Sequence, residues 1–236
     1  MENIDIRYCF TLPDESEQIF DIQLNRENLD LVGNVPQILP SWTSLDYHQC
    51  PNCPLTVDTH PNCPLAVNLF NVVRPFASLL SHNKIHVEVK TEERTVSTAT
   101  TAEEGIGSLM GLVMATSGCP HLAFFKPMAR FHLPLASEEE TIYRATSMYL
   151  LAQYFLNKRE QNADLELEGL TKIYNNIQAV NSAIAARLRA ATDKDSTINA
   201  VVVLDVYAKT LEYAIEESLE EIVYLFTPFF EKILDS

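Results

Sequence analysis

The first hundred residues contain several runs in which apolar and polar side chains alternate, the pattern of half-buried β-strands. Segments 4–10 and 19–24 are separated by the turn-forming residues 13–16 and predict a β-hairpin. Alternation returns over residues 84–96, on both sides of an acidic pair, and predicts two further strands. We therefore expect the early part of the chain to form a small antiparallel sheet.

Helical spacing of apolar residues dominates the later part of the chain. Two sequences, Thr101–Glu104 and Ser137–Glu140, match the capping box, in which the first and fourth residues exchange hydrogen bonds at a helix N-terminus. Apolar residues at intervals of three and four predict helices over residues 65–80, 105–115, 142–155, 165–191 and 198–221, then a segment 222–234 that continues or breaks at Pro228. The expected fold is one α+β domain over residues 1–236. Its sheet and Cys-rich loop occupy 1–100, and its mainly helical body occupies 101–236.

One uncharged stretch, residues 105–125, is long enough to span a bilayer. Polar and helix-breaking residues at 116–121 interrupt it, so it favours a buried helix, and we expect no membrane partner. Gly107, Gly111 and Ala115 recur on this helix every four residues. Such a row of small side chains indicates close packing in the core.

The composition narrows the function classes further. Seventeen Lys and Arg residues against 32 Asp and Glu residues leave a net charge of −15, which argues against nucleic acid as a partner. The N-terminal residues lack the basic and then apolar pattern of a secretory signal, which favours a cytoplasmic protein. An odd number of cysteines, five, then favours metal binding or thiol chemistry over a disulfide framework.

The cysteines are concentrated in a proline-rich loop of about residues 45–65, where the sequence Pro-Asn-Cys-Pro-Leu occurs twice at an interval of ten residues. Aligning the two copies pairs Cys50 and Cys53 with His60 and Cys63. Each pair has two residues between its members, a spacing that lets both side chains turn towards one ion. The sequence therefore predicts a zinc site of three cysteines and one histidine, with buried structural thiols as the alternative.

Other residues offer alternative ligand sets. His48 precedes Cys50 by two positions, and Cys119 with His121 forms a second compact pair. If Cys119 replaces His60, the four thiolates match an iron–sulfur cluster, which we rank second to zinc. Copper(I) is a third option, because soft methionine ligands at Met110 and Met114 lie near the helix end that carries Cys119.

A basic group, Arg130, His132 and Arg144, stands out in an acidic neighbourhood and suggests a site for a small anion or carboxylate ligand. The alternative is that the two arginines pair with acidic residues 138–140. An enzyme is the competing function class, with Cys119 as nucleophile and either His121 or His132 as base.

Three motifs carry a resemblance to a known family: Cys50-Pro51-x-Cys53-Pro54-Leu55, Ser117-Gly118-Cys119-Pro120, and Met128-Ala129-Arg130-Phe131-His132-Leu133-Pro134. They resemble an uncharacterised bacterial protein family, a domain of unknown function, over most of the chain. The resemblance implies a bacterial, cytoplasmic setting and brings no activity with it.

Taken together, the patterns favour a metal-stabilised binding or regulatory module whose proline-rich loop is clamped onto the segment around Cys119. A thiol-dependent or metal-dependent enzyme centred on Cys119, His121, Arg130 and His132 is the alternative. The terminal segment 222–233 holds more aromatic and aliphatic residues than one helix face can bury, so we expect a homodimer or a protein partner there.

Overall fold

A five-stranded antiparallel sheet forms the first part of the fold, in the order β3-β2-β1-β4-β5. The computed structural model describes residues 3–33, 37–76, 78–191, 195, 197–199, 201, 204 and 219–234. The strands are β1 (Asn3–Thr11), β2 (Glu17–Asn25), β3 (Leu31–Val32), β4 (Lys84–Lys90) and β5 (Thr95–Thr101). The predicted hairpin is confirmed as β1 and β2, and the two strands around the acidic pair are confirmed as β4 and β5.

The sheet buries one face because the alternation in the sequence puts its apolar side chains on that face. In β1 the side chains of Ile4, Ile6, Tyr8 and Phe10 are all buried, and β4 contributes Ile85, Val87 and Val89 to the same core. The other face is largely exposed and polar. Arg7, for example, pairs with Asp21 across the β1–β2 hairpin at 2.6 Å.

Helices cover the buried face and make up most of the remaining described chain, which confirms the α+β class. They are α1 (Pro64–Val73), α2 (Ala102–Thr116), α3 (Lys126–Arg130), α4 (Glu138–Lys158), α5 (Glu168–Ala191) and α6 (Thr227–Leu234). Both predicted capping boxes are present, at Thr101–Glu104 before α2 and at Ser137–Glu140 before α4. Side chains from the sheet and from α1 to α5 share one hydrophobic cluster.

Two predicted boundaries differ from the structure. The helix expected over 65–80 ends at Val73 and continues only as a 3-10 turn, Arg74–Phe76, because Pro75 has no N–H to offer an α-helix. Near the C-terminus the break comes before Pro228, since a 3-10 turn, Val223–Phe226, precedes α6. Most of the helix expected over 198–221 lies outside the described residues.

No helix in the described part of the chain is long and apolar enough to cross a membrane.

We expect alanine substitutions at two glycines of α2 to change stability in opposite directions. A Cβ atom at Gly105 would stand 2.9 Å from both Ile85 Cδ1 and Val87 Cγ2, whereas at Gly111 the nearest atom, Leu204 Cδ2, is 3.7 Å away. We expect Gly105→Ala to lower the free energy of unfolding by about 1–3 kcal/mol through overpacking. Gly111→Ala should raise it by about 0.5–1 kcal/mol, the usual helix preference for alanine. Urea unfolding of both variants measures this; equal effects would contradict the packing of α2 on β4.

Candidate metal site and adjoining cavity

Backbone pairing holds the two ends of the proline-rich loop together. Leu45 N–H donates to the Pro61 carbonyl at 3.0 Å, and Cys63 N–H donates to the Thr43 carbonyl at 2.8 Å. Within the loop, Cys53 N–H donates to the Cys50 carbonyl at 3.0 Å and closes the turn that contains both cysteines. The loop is thus an ordered structure without regular secondary structure, in agreement with its sequence.

A buried arginine fastens this loop to α5. Arg187 is 1% exposed, and its guanidinium donates to the carbonyls of Trp42 (2.7 Å), Ser44 (2.6 Å) and Leu45 (3.0 Å). Within the described residues it makes no ion pair with a carboxylate, and its Nε is buried without a partner. A full positive charge is therefore buried at this point, and its partners among the described residues are backbone carbonyls.

The segment after α2 approaches the same loop from the other side. Gly118 has φ +84°, a left-handed conformation suited to glycine, and this residue ends the turn after α2 as its sequence predicts. His121 donates its Nε2–H to the Asn52 carbonyl at 2.7 Å, and Asn68 Nδ2 donates to the Ser117 carbonyl at 3.1 Å. These contacts bring Cys119 to the Cys50–Cys53 turn.

Four thiols consequently lie near one another: Cys50, Cys53, Cys63 and Cys119. Burial raises the pKa of Cys50 to about 12; the other three thiols also raise it, and Arg187 acts in the opposite direction. Burial likewise raises the pKa of Cys119 to about 11, although two backbone N–H groups directed at its sulfur favour the thiolate. Without a metal these two thiols are therefore protonated at neutral pH.

Two of the predicted histidine ligands, His60 and His48, lie at the surface. His60 is exposed, with its Nδ1 3.0 Å from Thr59 Oγ1, and His48 is exposed with its ring against Tyr47. Neither is among the groups that act on the Cys50 or Cys119 thiol. Met110 and Met114, considered as copper ligands, belong to the hydrophobic core.

The four thiols lie near one another, but their sulfur atoms are not arranged around a common point. Among the described residues, no three His, Cys, Asp or Glu side chains are close enough together to hold a metal ion. All five cysteines are free thiols, so no disulfide prevents their side chains from rotating about χ1.

A cavity of about 480 Å³ lies beside this region, between α2, the α3 segment, α4 and α5. Its wall is mostly apolar and includes the small residues Gly107, Gly111 and Ala115 of α2. The close packing expected along this row is present in part, since Ala115 belongs to the hydrophobic cluster and a Cβ atom at Gly111 would be 3.7 Å from Leu204 Cδ2, while all three residues also line the cavity.

The predicted anion-binding residues are divided between two places. Arg144 and His132 contribute to the wall of the cavity, whereas Arg130 does not and forms an ion pair with Glu93 at 3.5 Å. Arg144 Nη2 donates to the carbonyls of Met128 (3.0 Å) and Phe131 (2.9 Å). In the described chain neither arginine makes an ion pair with residues 138–140, although the charge of Glu140 acts on Arg144.

His132 belongs to a buried hydrogen-bond network with Tyr8 and Ser108. Its Nε2 and Ser108 Oγ both hydrogen-bond the Tyr8 hydroxyl, and Leu135 N–H donates to Ser108 Oγ at 3.0 Å. Burial, and secondarily the charge of Arg144, lower the pKa of His132 to about 3. His132 is thus a neutral imidazole at physiological pH.

This lowered pKa predicts a pH dependence of stability. Between pH 6.5 and about 3 the unfolded chain binds a proton at His132 that the folded chain does not, so stability falls as the pH falls, by at most about 1.4 kcal/mol per pH unit. We expect His132→Gln to lose less stability than the parent between pH 7 and pH 5, as measured by urea unfolding. His86→Gln, at an exposed histidine of β4, is the control. Parallel losses in all three proteins would contradict the burial of His132.

Three important residues were not among the sequence predictions: Arg187, Tyr174 and Asn181. All lie on the buried side of α5, and the structure directs them to the loop or to the cavity. The sequence does contain a sign of two of them. Asn181 and Arg187 are polar residues in the apolar stripe of a helix whose other buried positions are aliphatic or aromatic.

The fold and site define an α+β protein with an antiparallel sheet, a helical layer and a loop that brings cysteines from separate segments together. A family model described as a domain of unknown function, DUF6901, matches residues 6–227, and the chain belongs to this family. No curated protein and no solved structure matches the chain.

Proposed function

We propose that Cys50, Cys53, Cys63 and Cys119 bind a metal centre that clamps the proline-rich loop onto the segment after α2, within a binding or regulatory module. The observation that carries the proposal is the buried Arg187 guanidinium, which acts on the Cys50 thiol and has no described carboxylate partner. Four thiolates around a metal carry a net negative charge, which is what a buried cation at this position requires.

The energetic argument concerns the cost of a buried charge. An isolated ammonium or guanidinium group inside a protein costs several kcal/mol unless a charge of opposite sign accompanies it. The chain is acidic, with a net charge of −15, yet it places this cation where no described carboxylate reaches it. A metal–thiolate centre provides the missing negative charge, since the thiols lose their protons on binding.

The metal also accounts for the order of the loop. Fixing the backbone of some twenty irregular residues costs about 1–2 kcal/mol per residue in conformational entropy. Hydrogen bonds such as those of Arg187 offset part of this, and a structural metal supplies binding free energy that appears directly as folding free energy.

The ligand set of the proposal is four cysteines rather than three cysteines and a histidine. Cys119 acts electrostatically on Cys50 together with Cys53 and Cys63, whereas His60 is exposed with its Nδ1 3.0 Å from Thr59 Oγ1. Zinc is the first choice, since four thiolates in tetrahedral arrangement form its common structural site. An iron–sulfur cluster uses the same four ligands and is the second. Copper(I) is less favoured, because the two methionines lie in the core.

Elemental analysis of the purified protein, together with its visible absorption spectrum, tests the proposal and separates the metals. We expect about one zinc per chain and a colourless solution. A brown solution that contains iron and sulfide would show that the site holds an iron–sulfur cluster instead of zinc. Protein that contains neither metal, and whose melting temperature is unchanged by added zinc or by a chelator, would overturn the proposal.

The alternative, an enzyme with Cys119 as nucleophile, has no specific observation in its favour. The pKa of the Cys119 thiol is raised rather than lowered, and His121 uses its Nε2–H on the Asn52 carbonyl. His132 is hydrogen-bonded to Tyr8 rather than to a thiol. A reactive cysteine requires the opposite electrostatic setting.

The setting we propose is the bacterial cytoplasm. Five free cysteines are compatible with a reducing compartment, in which thiols remain available to a metal. The family match supports the likeness seen in the sequence but does not itself specify an organism or a compartment.

We also propose a homodimer or partner contact through the C-terminal aromatic segment. Tyr224, Phe226, Phe229 and Phe230 are exposed, and Phe226 stacks on Tyr143, an exposed residue of α4. Sedimentation velocity should show a concentration-dependent dimer, and Phe229→Glu should shift it to the monomer by placing a charge in an apolar contact. A monomer at every concentration would count against self-association.

A further inference from the structure

We propose that the cavity between α2, α4 and α5 binds an amphiphilic carboxylate, a molecule with an apolar body, a carboxylate at one end and a second hydrogen-bonding group. This site is separate from the metal centre in its chemistry, since none of the four cysteines contributes to its wall. Its volume, about 480 Å³, lies in the range of about 300–1,000 Å³ typical of small-molecule sites.

The first observation is the unpaired amide of Asn181. This side chain is 1% exposed, contributes to the cavity wall, and makes no hydrogen bond through Nδ2 or Oδ1 to any described residue. A buried amide that forms no hydrogen bond costs about 1–3 kcal/mol. Both a donor and an acceptor therefore lie unsatisfied directly behind this wall, and a ligand group with both functions satisfies them once the side chain turns towards the cavity.

The second observation is a basic group at another part of the same wall. Arg144 and Tyr174 both contribute to the wall and interact electrostatically with each other. Arg144 uses Nη2 on two carbonyls, but its Nε and Nη1 make no hydrogen bond within the described residues. The charge of the nearby Glu140 acts on Arg144, but the two form no ion pair among the described residues. The Tyr174 hydroxyl adds a further donor, so this end suits a carboxylate.

The positions of these groups on α5 set the length of the ligand. Tyr174, Ile177 and Asn181 stand at intervals of three and four residues, which places them on one face of the helix. Seven residues of α-helix separate the tyrosine from the asparagine by about 10 Å. Ile177 lies between them on the helix, and most of the cavity wall is apolar. The ligand thus has polar groups at two ends of an apolar body of about that length.

The open volume itself comes from α2. Gly107, Gly111 and Ala115 line the cavity with little or no side chain. Larger residues would fill this space, and glycine in a helix costs about 0.5–1 kcal/mol relative to alanine. The two glycines therefore lower the stability of α2 at the positions that leave the cavity open.

Two fluorescent probes with the same rings test the carboxylate end. 8-Anilinonaphthalene-1-sulfonate carries an anionic group, and N-phenyl-1-naphthylamine lacks it; both brighten in apolar sites. We expect the parent to bind the anionic probe at least tenfold more tightly, and Arg144→Met to abolish this preference while changing the affinity for the neutral probe less than threefold. Arg130→Met is the matched control, because Arg130 lies outside the cavity; it should leave both affinities unchanged.

Asn181→Leu tests the other end. It removes the unpaired amide from the core, so the protein without ligand should melt at a higher temperature than the parent. If Arg144→Met fails to fold, Tyr174→Phe replaces it and should reduce the anionic preference at least threefold. Displacement of the anionic probe by decanoate but not by decanol extends the result from sulfonate to carboxylate.

Equal affinity of the parent for the two probes would overturn the inference, as would an Arg130→Met effect equal to that of Arg144→Met. A lower melting temperature for Asn181→Leu, or equal displacement by decanol, would do the same. Metal content is measured on every variant. If the parent contains its full metal but shows no preference for the anionic probe, the cavity proposal fails and the metal proposal stands. If the protein contains no metal but still prefers the anionic probe, the metal proposal fails and the cavity proposal stands.

Discussion

Replacing Cys53 or Cys63 with serine should remove the bound metal and strongly destabilise the fold. A metal at a thousandfold excess over its dissociation constant stabilises the native state by about 4 kcal/mol, and a site that loses one of four thiolates forfeits most of this. Both variants should therefore unfold at clearly lower urea concentration than the parent, and elemental analysis should find little metal.

Cys9 provides the matched control for these substitutions. It lies on β1, and the charged groups that act on it are Glu17, Glu88 and Arg7 rather than the other cysteines. Cys9→Ser should keep the full metal content and unfold close to the parent. If Cys53→Ser and Cys63→Ser also retain full metal content with unchanged unfolding curves, the cysteines do not form the proposed site.

Replacing Arg187 with methionine should lower the free energy of unfolding by about 3–5 kcal/mol. The variant leaves the carbonyls of Trp42, Ser44 and Leu45 without their donor and removes the cation beside the thiols. Urea unfolding measures the loss, and metal content should fall as well, because the thiolates lose the charge that stabilises them.

Arg189→Met, at an exposed position two residues further along α5, is the control and should change stability by less than about 0.5 kcal/mol. Repeating both measurements after chelation gives the sharper test. Without the metal the guanidinium charge is uncompensated, so Arg187→Met should cost less than in the metal-bound protein. An equal cost in both states would show that Arg187 holds the loop independently of any metal.

The elements of the fold were predictable because their signals are local. Alternation located β1, β2, β4 and β5, and the two capping boxes located the starts of α2 and α4. The errors arose where a single residue decides the boundary. Pro75 ended α1 earlier than its apolar spacing suggested, since periodicity does not register a missing N–H.

The site was only partly predictable, because its contacts join distant parts of the chain. The duplicated Pro-Asn-Cys-Pro-Leu sequence suggested that His60 is equivalent to Cys50, but the second copy leads directly into α1 while the first closes a turn, so the two copies have different structures. Arg187 meets its carbonyl partners across more than 140 residues. A contact between such distant residues leaves no local sequence pattern. The one indication is that a charged residue, Arg187, stands in the apolar stripe of α5.

The most direct test of the central claim is X-ray absorption fine structure at the edge of the metal found in the purified protein. We expect four sulfur ligands at about 2.3 Å and no nitrogen ligand, in the parent and equally in His60→Ala. In Cys119→Ser one sulfur ligand should be lost. A nitrogen ligand at about 2.0 Å that disappears in His60→Ala would instead indicate a site of three cysteines and one histidine. A parent protein without sulfur-bound metal would contradict the proposed metal centre.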